Sequence, residues 1–117
     1  MEAAHRDPRQ ISQMIIEQRI YTLKPGKTVA YLALYRERGL EVQSHHLGRL
    51  IGYFTSEYGA LNQITHLWAY EDHADRAHRR AALFADKRWL DVVEVLYGMI
   101  DRMENMILTP TSFSPLP

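Results

Sequence analysis

The stretch from Leu47 to Asp72 constrains the fold more than any other part of the chain. "LGRLIGYFTSE" is rich in Ile, Tyr and Phe and is typical of a strand, and "LNQITHLWAYE" is a second strand pattern. The "YGAL" between them contains Gly59, which takes a turn conformation at no steric cost. Asp72 is a good helix N-cap. This segment therefore predicts a β-hairpin that runs directly into a helix.

One strand and one helix are predicted on either side of this hairpin. "MIIEQRIYTL" is a strand that ends at Pro25 and Gly26, and Ala, Leu, Arg and Glu make residues 27–44 helical by propensity. The helix after Asp72 restarts at a second N-cap, Asp86, and Gly98 suits its end. "MIDRMENMIL" is the last strand.

The predicted order of elements is β-α-β-β-α-β. This order is that of an α+β, ferredoxin-like fold. Its antiparallel four-stranded sheet has the order 4-1-3-2, with both helices on one face, so the first and third strands should be neighbours at the centre.

The 117 residues suit one domain. We expect residues 1–13, which are polar and show no pattern, to be a flexible extension, and Met14 is an alternative start of the chain. Residues 14–117 form the predicted domain, and the proline-rich residues 109–117 are its extended tail.

Composition excludes several classes of function. Fourteen basic and fourteen acidic side chains cancel, which argues against a nucleic-acid-binding protein. The sequence shows no apolar run of the ~18 residues that span a membrane and no signal peptide. Cysteine is absent, so disulfides, thiolate metal sites and cysteine nucleophiles are excluded. A cytoplasmic location fits this composition.

The face of the sheet away from the helices needs a cover. We expect Ile16 and Ile20 to face the helices, and the third strand is apolar on both sides, with Trp68 on one of them. A side chain of this size gains roughly 2–3 kcal/mol or more from full burial. A second copy of the chain, packed sheet to sheet, would supply the cover, so a homodimer is predicted.

Four segments in order carry a family resemblance: "EQRIYTLKPGK", "GYFTSEYGALNQITHLWAYED", "DKRWLDVV" and "LTPTSFSP". From Met14 to Pro115 the chain resembles the NIPSNAP family of the dimeric α/β-barrel superfamily. The resemblance implies the ferredoxin-like fold and a dimeric barrel. Animal members are linked to mitochondria, which would place a eukaryotic protein in the mitochondrial matrix. The superfamily also holds cofactor-free monooxygenases and haem-degrading enzymes, but the resemblance carries over no catalytic residue.

Ionisable and aromatic residues on the two central strands are the best candidate site. If these strands are neighbours, five residues could share one face: Arg19, Tyr21, His66, Trp68 and Tyr70. They could bind and polarise an aromatic or carboxylate ligand. Alternatively, they form a packed polar and aromatic layer at the dimer interface, where Tyr, Trp and Arg are enriched. Both interpretations stay open at the level of sequence.

Other polar groups are weaker candidates. Glu57 and Asn62 flank the hairpin turn, either as polar groups at a pocket mouth or as turn residues. No metal site is predicted, because neither adjacent His45 and His46 nor His73 and His78, five residues apart, have the spacing of a helical metal pair. The basic cluster at 76–80 is interpreted as a solvated helix face, or as an anion site.

Two functional hypotheses follow. The first is a dimeric small-ligand-binding or interaction module, which the lack of a catalytic signature favours. The second is a cofactor-independent oxygenase or isomerase that acts on a small aromatic or carbonyl compound. No cofactor is predicted, and haem enters only through the resemblance.

Overall fold

Four antiparallel strands form one sheet in the computed structural model, which describes residues 14–116. The strands are β1 (Ile15–Leu23), β2 (Arg49–Thr55), β3 (Gln63–Tyr70) and β4 (Ile100–Leu108). Their order in the sheet is β2-β3-β1-β4, so β1 and β3 are the central neighbours. The predicted ferredoxin-like fold is confirmed. The predicted flexible extension, residues 1–13, lies outside the described residues.

The first helical connection contains a π-helical turn that the sequence pattern does not predict. Helix α1 (Thr28–Leu34), the π-helical segment (Tyr35–Gly39) and helix α2 (Leu40–Leu47) follow without a break. Gly39 packs against the ring of Tyr35, since a Cβ at Gly39 would lie 2.8 Å from Cδ1 of that ring. A residue without a side chain therefore lets the tyrosine ring lie against the helix backbone.

The second helical connection is divided in two, as the N-caps predict. Helix α3 (His73–Phe84) begins where the side chain of Asp72 accepts the backbone N–H of Asp75 at 2.7 Å. Helix α4 (Lys87–Gly98) begins where Asp86 accepts the N–H of Arg88 at 2.9 Å. None of the helices within residues 14–116 is both long and apolar enough to cross a membrane.

The main core lies between the sheet and the helices, and it overturns one predicted orientation. Trp68 is fully buried there together with Ile15 and Tyr21. Ile16 belongs instead to a cluster on the opposite face, and Ile20 lies on that face by alternation. The prediction that Ile16 and Ile20 face the helices is therefore wrong, because the alternation of the strand is shifted by one residue. The helices of the same chain cover Trp68.

The opposite face of the sheet, called the open face below, is partly covered by the end of the chain. Met14, Ile16 and Ala69 are buried on it, and Leu116 packs against them. Residues 109–116 form no helix or strand and contain one hydrogen-bonded turn at 111–114. Away from this cluster, Met106 on β4 keeps 55% of its surface exposed.

Candidate functional site

The five predicted site residues all lie on the helix-facing side of the two central strands. Arg19 pairs with His66 across the strands, and the other three follow at alternate positions. His66, Trp68, Tyr21 and Tyr70 are buried. The five therefore share one face, and that face packs against the helices of the same chain.

Glu17 is the centre of an ion cluster beside these residues, and its charged side chain has no exposed surface. Nη1 of Arg19 donates to its carboxylate at 2.8 Å, Arg76 donates from Nε and Nη2 at 3.0 and 2.9 Å, and Asn105 donates at 3.0 Å. Burial alone would raise the pKa of Glu17, but the hydrogen bonds from Arg76 and Asn105 and the charge of Arg19 lower it to about 2. The carboxylate is ionised and fully engaged.

His66 is held in one protonation state and one tautomer. Burial and the neighbouring charge of Arg19 lower its pKa to about 3, so the ring is neutral at physiological pH. The indole Nε1–H of Trp68 donates to Nδ1 of His66 at 2.8 Å. An indole can only donate, so Nδ1 is the acceptor and the single ring proton lies on Nε2. Among the residues that the structure describes, Nε2 has no hydrogen-bond partner.

A layer of tyrosines from β2 and the first helical connection covers His66. The ring of Tyr53 stacks on His66 with centroids 4.6 Å apart, and Tyr35 stacks on Tyr53 at 4.7 Å. The hydroxyls of Tyr31 and Tyr53 lie 3.4 Å apart, and Tyr35 donates to Oε1 of Gln43. Burial raises the pKa of each of these three phenols, so all are protonated at neutral pH.

A small internal cavity lies where this layer meets the sheet. Its lining is mainly aromatic and includes His66, Tyr21, Tyr31, Tyr35 and Tyr53. Its volume is about 10 Å³, roughly the room that one water molecule needs. His66 thus lines this cavity and carries a buried donor, Nε2–H, without a partner among the described residues.

Tyr70 lies further along β3, next to a different depression. Its hydroxyl is buried without a partner among the described residues, and burial raises its pKa to about 12. Tyr70 also lines an open surface cleft of about 250 Å³, whose other walls include Gly48, Asp75 and Arg79. Arg79 donates to Asp75 and to the carbonyl of His46, so it fastens α3 to the end of α2.

Glu57 and Asn62 do not join the other five residues. Glu57 is exposed in the hairpin loop. Asn62 adopts a φ of 60°, and its backbone carbonyl accepts the N–H of Leu23 at 2.8 Å, which ties the loop to the end of β1. Neither residue lines the cavity beside His66. Their role at a pocket mouth stays a prediction.

The basic cluster at 76–80 is not simply a solvated face. Arg76 reaches inward to Glu17, so this prediction is wrong for Arg76. Arg79 keeps 39% of its side chain exposed and pairs with Asp75, and it also donates to the carbonyl of His46. In residues 14–116, no three His, Asp or Glu side chains form a group suited to a metal ion. Haem does not fit the cavity beside His66 as it stands, because pockets for ligands of that size occupy several hundred Å³.

Several residues of the site are missing from the sequence prediction. Glu17 could have been found, since it alternates with Arg19 on the same strand face. Tyr53 pairs with His66 across the hairpin and could have been found from its register. Arg76 and Asn105 reach Glu17 from 59 and 88 residues away, and no local pattern indicates such contacts.

Comparison with known proteins identifies relatives of this chain. The profile of the NIPSNAP family matches residues 16–115. The crystal structure of a NIPSNAP family protein from Agrobacterium tumefaciens is 47% identical, with a TM-score of 0.87 over 89% of this chain and 99% of that one. NipSnap homolog 2 of Danio rerio is 34% identical over 87% of this chain, which spans 35% of the homologue's length.

A more distant likeness concerns the fold alone. A protein from Nitrosomonas europaea, provisionally named an antibiotic biosynthesis monooxygenase, superposes with a TM-score of 0.64 at 13% identity, over 88% of this chain and 95% of that one. The family profile covers nearly the whole described chain, and the close structural relative has the same fold over almost its entire length. The chain belongs to the NIPSNAP family.

Proposed function

We propose that this protein is a homodimer that binds a small molecule between its sheet and its helices. The observation that carries the proposal is the Nε2–H of His66, a buried donor without a protein partner among the described residues, beside a tyrosine-lined cavity. A buried polar group left without a partner costs about 1–3 kcal/mol. Such a cost persists in a stable core when water or a ligand completes the hydrogen bond.

The wall of the cavity is suited to a flat ligand. The stacked rings of Tyr35, Tyr53 and His66 present parallel faces, and the rest of the lining is mainly aromatic. A ligand larger than one water molecule requires these rings to move apart. Tyr35 lies in the π-helical segment, and π-helical turns are frequent at functional sites.

The enzymatic alternative is a cofactor-independent oxygenase or isomerase. The donor on His66 would suit the polarisation of a carbonyl group, and the Nitrosomonas protein of similar fold carries a monooxygenase name. Both reactions also need a base that removes a proton from the substrate. Three donor residues engage Glu17, whose pKa is about 2, and Trp68 occupies Nδ1 of His66. Burial raises the pKa of Tyr31, Tyr35 and Tyr53, which are protonated. The described residues around the cavity therefore favour binding over catalysis.

The homodimer is supported by the open face of the sheet. Phe54 on β2 and Met106 on β4, the two edge strands of the sheet, are more than half exposed there. Surfaces of this kind are typical of interaction sites. Packing against a second sheet would cover them, and a symmetric pair is the simplest arrangement.

The proposed location rests on the composition and on the family resemblance. A chain without cysteine is suited to a reducing compartment, so we place it in the cytoplasm, or in the mitochondrial matrix if its source is eukaryotic. Fractionation of the source cells with an antibody against the protein tests this placement.

A thermal-shift screen with small aromatic and carbonyl metabolites, haem and flavin tests binding, followed by calorimetry on each hit. A ligand of the cavity should lose affinity for His66→Asn, which keeps an acceptor for Trp68 and removes the Nε2–H donor. The control is His78→Asn on the exposed side of α3, which should bind as the wild type does. Hits that bind both variants equally, or no hit at millimolar concentration, would contradict the proposed function.

A further inference from the structure

Several groups that line the cavity have a hydrogen atom to donate. Nε2–H of His66 is one donor. The hydroxyl of Tyr21 accepts from Nε of Arg19 at 2.9 Å, which leaves its own hydrogen available. In the Tyr31 and Tyr53 pair, whichever hydroxyl donates, the other keeps a hydrogen to give. The lining is therefore complementary to an acceptor.

The charges around the cavity also favour an acceptor, in particular one with a negative charge. Arg19 and Arg80 both act on His66 and Tyr21, and Arg76 lies beside Arg19 on the Glu17 carboxylate. Glu17 is the single acidic group among the charges that influence His66, and guanidinium groups surround it. Two positive charges, Arg19 and Arg80, against the one negative charge of Glu17 leave a positive potential at the buried ring of His66.

Two of these donors, on Tyr21 and His66, come from the adjacent central strands β1 and β3. The rings of Tyr21 and His66 are in edge contact, with centroids 4.9 Å apart, and both line the cavity. Arg19 donates to the hydroxyl of Tyr21 and to the carboxylate of Glu17, so the ion cluster fixes the tyrosine side of this pair. Trp68 fixes the histidine side. Both donors are held by hydrogen bonds before any ligand arrives.

We propose that the ligand of this site carries an oxyanion on a small planar ring, and that His66 Nε2–H and Tyr21 O–H bind that oxygen. The inference rests on the proposed binding function and names its ligand class. Two rigid donors suit an anionic oxygen, because hydrogen bonds to a charged acceptor are about twice as strong as neutral ones. Because the cavity has room for about one water molecule, the stacked rings of Tyr53 and Tyr35 must move apart before they contact the flat part of the ligand.

Three probes of nearly equal shape separate charge from size: benzoate, benzamide and benzamidinium. Binding is followed by NMR titration of the protein with its histidine side chains labelled with ¹⁵N. The Kd of benzoate should be at least about 10-fold lower than that of benzamide. Benzamidinium should not bind. The signals of Nε2 and its proton on His66 should shift with benzoate, whereas those of exposed His78 should not.

A pair of variants isolates the donor. His66→Asn keeps the acceptor for Trp68 but removes the donor into the cavity, and His66→Gln retains an N–H at the position of Nε2. Benzoate affinity should fall about 10-fold or more in the first and stay within about 3-fold in the second. Tyr21→Phe removes the other donor and serves as the second test if a His66 variant does not fold.

The outcomes distinguish this inference from the proposed function. If benzamide or benzamidinium binds as tightly as benzoate and shifts the His66 signals, the cavity binds ligands but the oxyanion class is wrong. Benzoate binding that is equal in His66→Asn and the wild type overturns the assigned donor. If none of the three probes, and no compound from the metabolite screen, perturbs His66, both the inference and the proposed function fail.

Discussion

Arg76 of α3 binds both carboxylate oxygens of Glu17 on β1, from Nε at 3.0 Å and from Nη2 at 2.9 Å. A helix is thereby joined to the centre of the sheet through a charge pair whose acidic member is fully buried. Glu17→Gln removes the negative charge and leaves Arg19 and Arg76 without their counter-ion. We expect the free energy of unfolding to fall by about 3–5 kcal/mol, measured by urea denaturation.

Asp91→Asn is the matched control for this experiment. Asp91 pairs with Lys87 on the same helix, α4, at 2.9 Å, and both side chains are largely exposed. An exposed pair contributes about 0–1 kcal/mol, so this variant should unfold almost as the wild type does. Equal effects of the two substitutions would show that burial of Glu17 does not govern its contribution.

The buried histidine predicts loss of stability in mild acid. The folded state keeps His66 neutral down to a pKa of about 3, whereas the unfolded chain binds the proton near pH 6.5. Protonation therefore favours the unfolded state as the pH falls. Above pH 6.5 His66 is neutral in both states, so its protonation does not reduce the free energy of unfolding. At pH 5 the loss relative to pH 8 should be about 2 kcal/mol.

The ionised carboxylate of Glu17, with its pKa of about 2, also contributes less to the stability of the folded state as the pH falls, but only below about pH 4.5. Measurements between pH 5 and 8 therefore separate the effect of His66 from that of Glu17. The slope of unfolding free energy against pH should flatten in His66→Gln and persist in His78→Asn. A wild-type slope in both variants would assign the titration to another group.

The contact between Gly39 and Tyr35 predicts that even one added methyl group is harmful. A Cβ at Gly39 would lie 2.8 Å from the Tyr35 ring and 3.5 Å from Trp89. Since Tyr35 is also stacked on Tyr53, the ring has little room to yield, and Gly39→Ala should cost about 1–3 kcal/mol. Chemical denaturation measures the difference.

Gly98 at the end of α4 provides the comparison. A Cβ there meets nothing within 4 Å, so Gly98→Ala should be neutral or should stabilise by up to ~1 kcal/mol. If Gly39→Ala were as harmless as Gly98→Ala, the close packing of the π-helical segment would not matter for stability.

The open face predicts how the homodimer can be broken. Phe54→Asp combined with Met106→Asp places two charges in the proposed interface, so light scattering after size exclusion should show a monomer where the wild type is a dimer. Val29→Asp is the control, because Val29 is 82% exposed in α1 in the helical layer. A monomeric wild type at micromolar concentration would refute the homodimer.

The order of elements could be predicted because local chemistry determines it. Pro25 with Gly26 ends β1, Gly59 permits the hairpin turn, and Asp72 and Asp86 form the hydrogen bonds that begin two helices. Each of these signals acts within a few residues of its own position. The ferredoxin-like order of strands then follows from the order of elements.

The orientation of the sheet could not be predicted in the same way. Ile16 and Ile20 look more suited to a core than Glu17 and Arg19, yet the charged residues face the helices. Arg76 and Asn105 make this arrangement favourable by neutralising and solvating Glu17. Partners so far away in sequence leave no periodic signal, and the alternation of a strand is equally compatible with either face.

Met14 and Leu116, at opposite ends of the described chain, belong to the same apolar cluster on the open face. A polypeptide that continued in both directions would therefore enter and leave this domain at one point on its surface. Such a domain can be inserted into a larger protein without rearranging its sheet or its helices. The zebrafish homologue, in which the matched region is about a third of the length, uses the domain as one part of a longer chain.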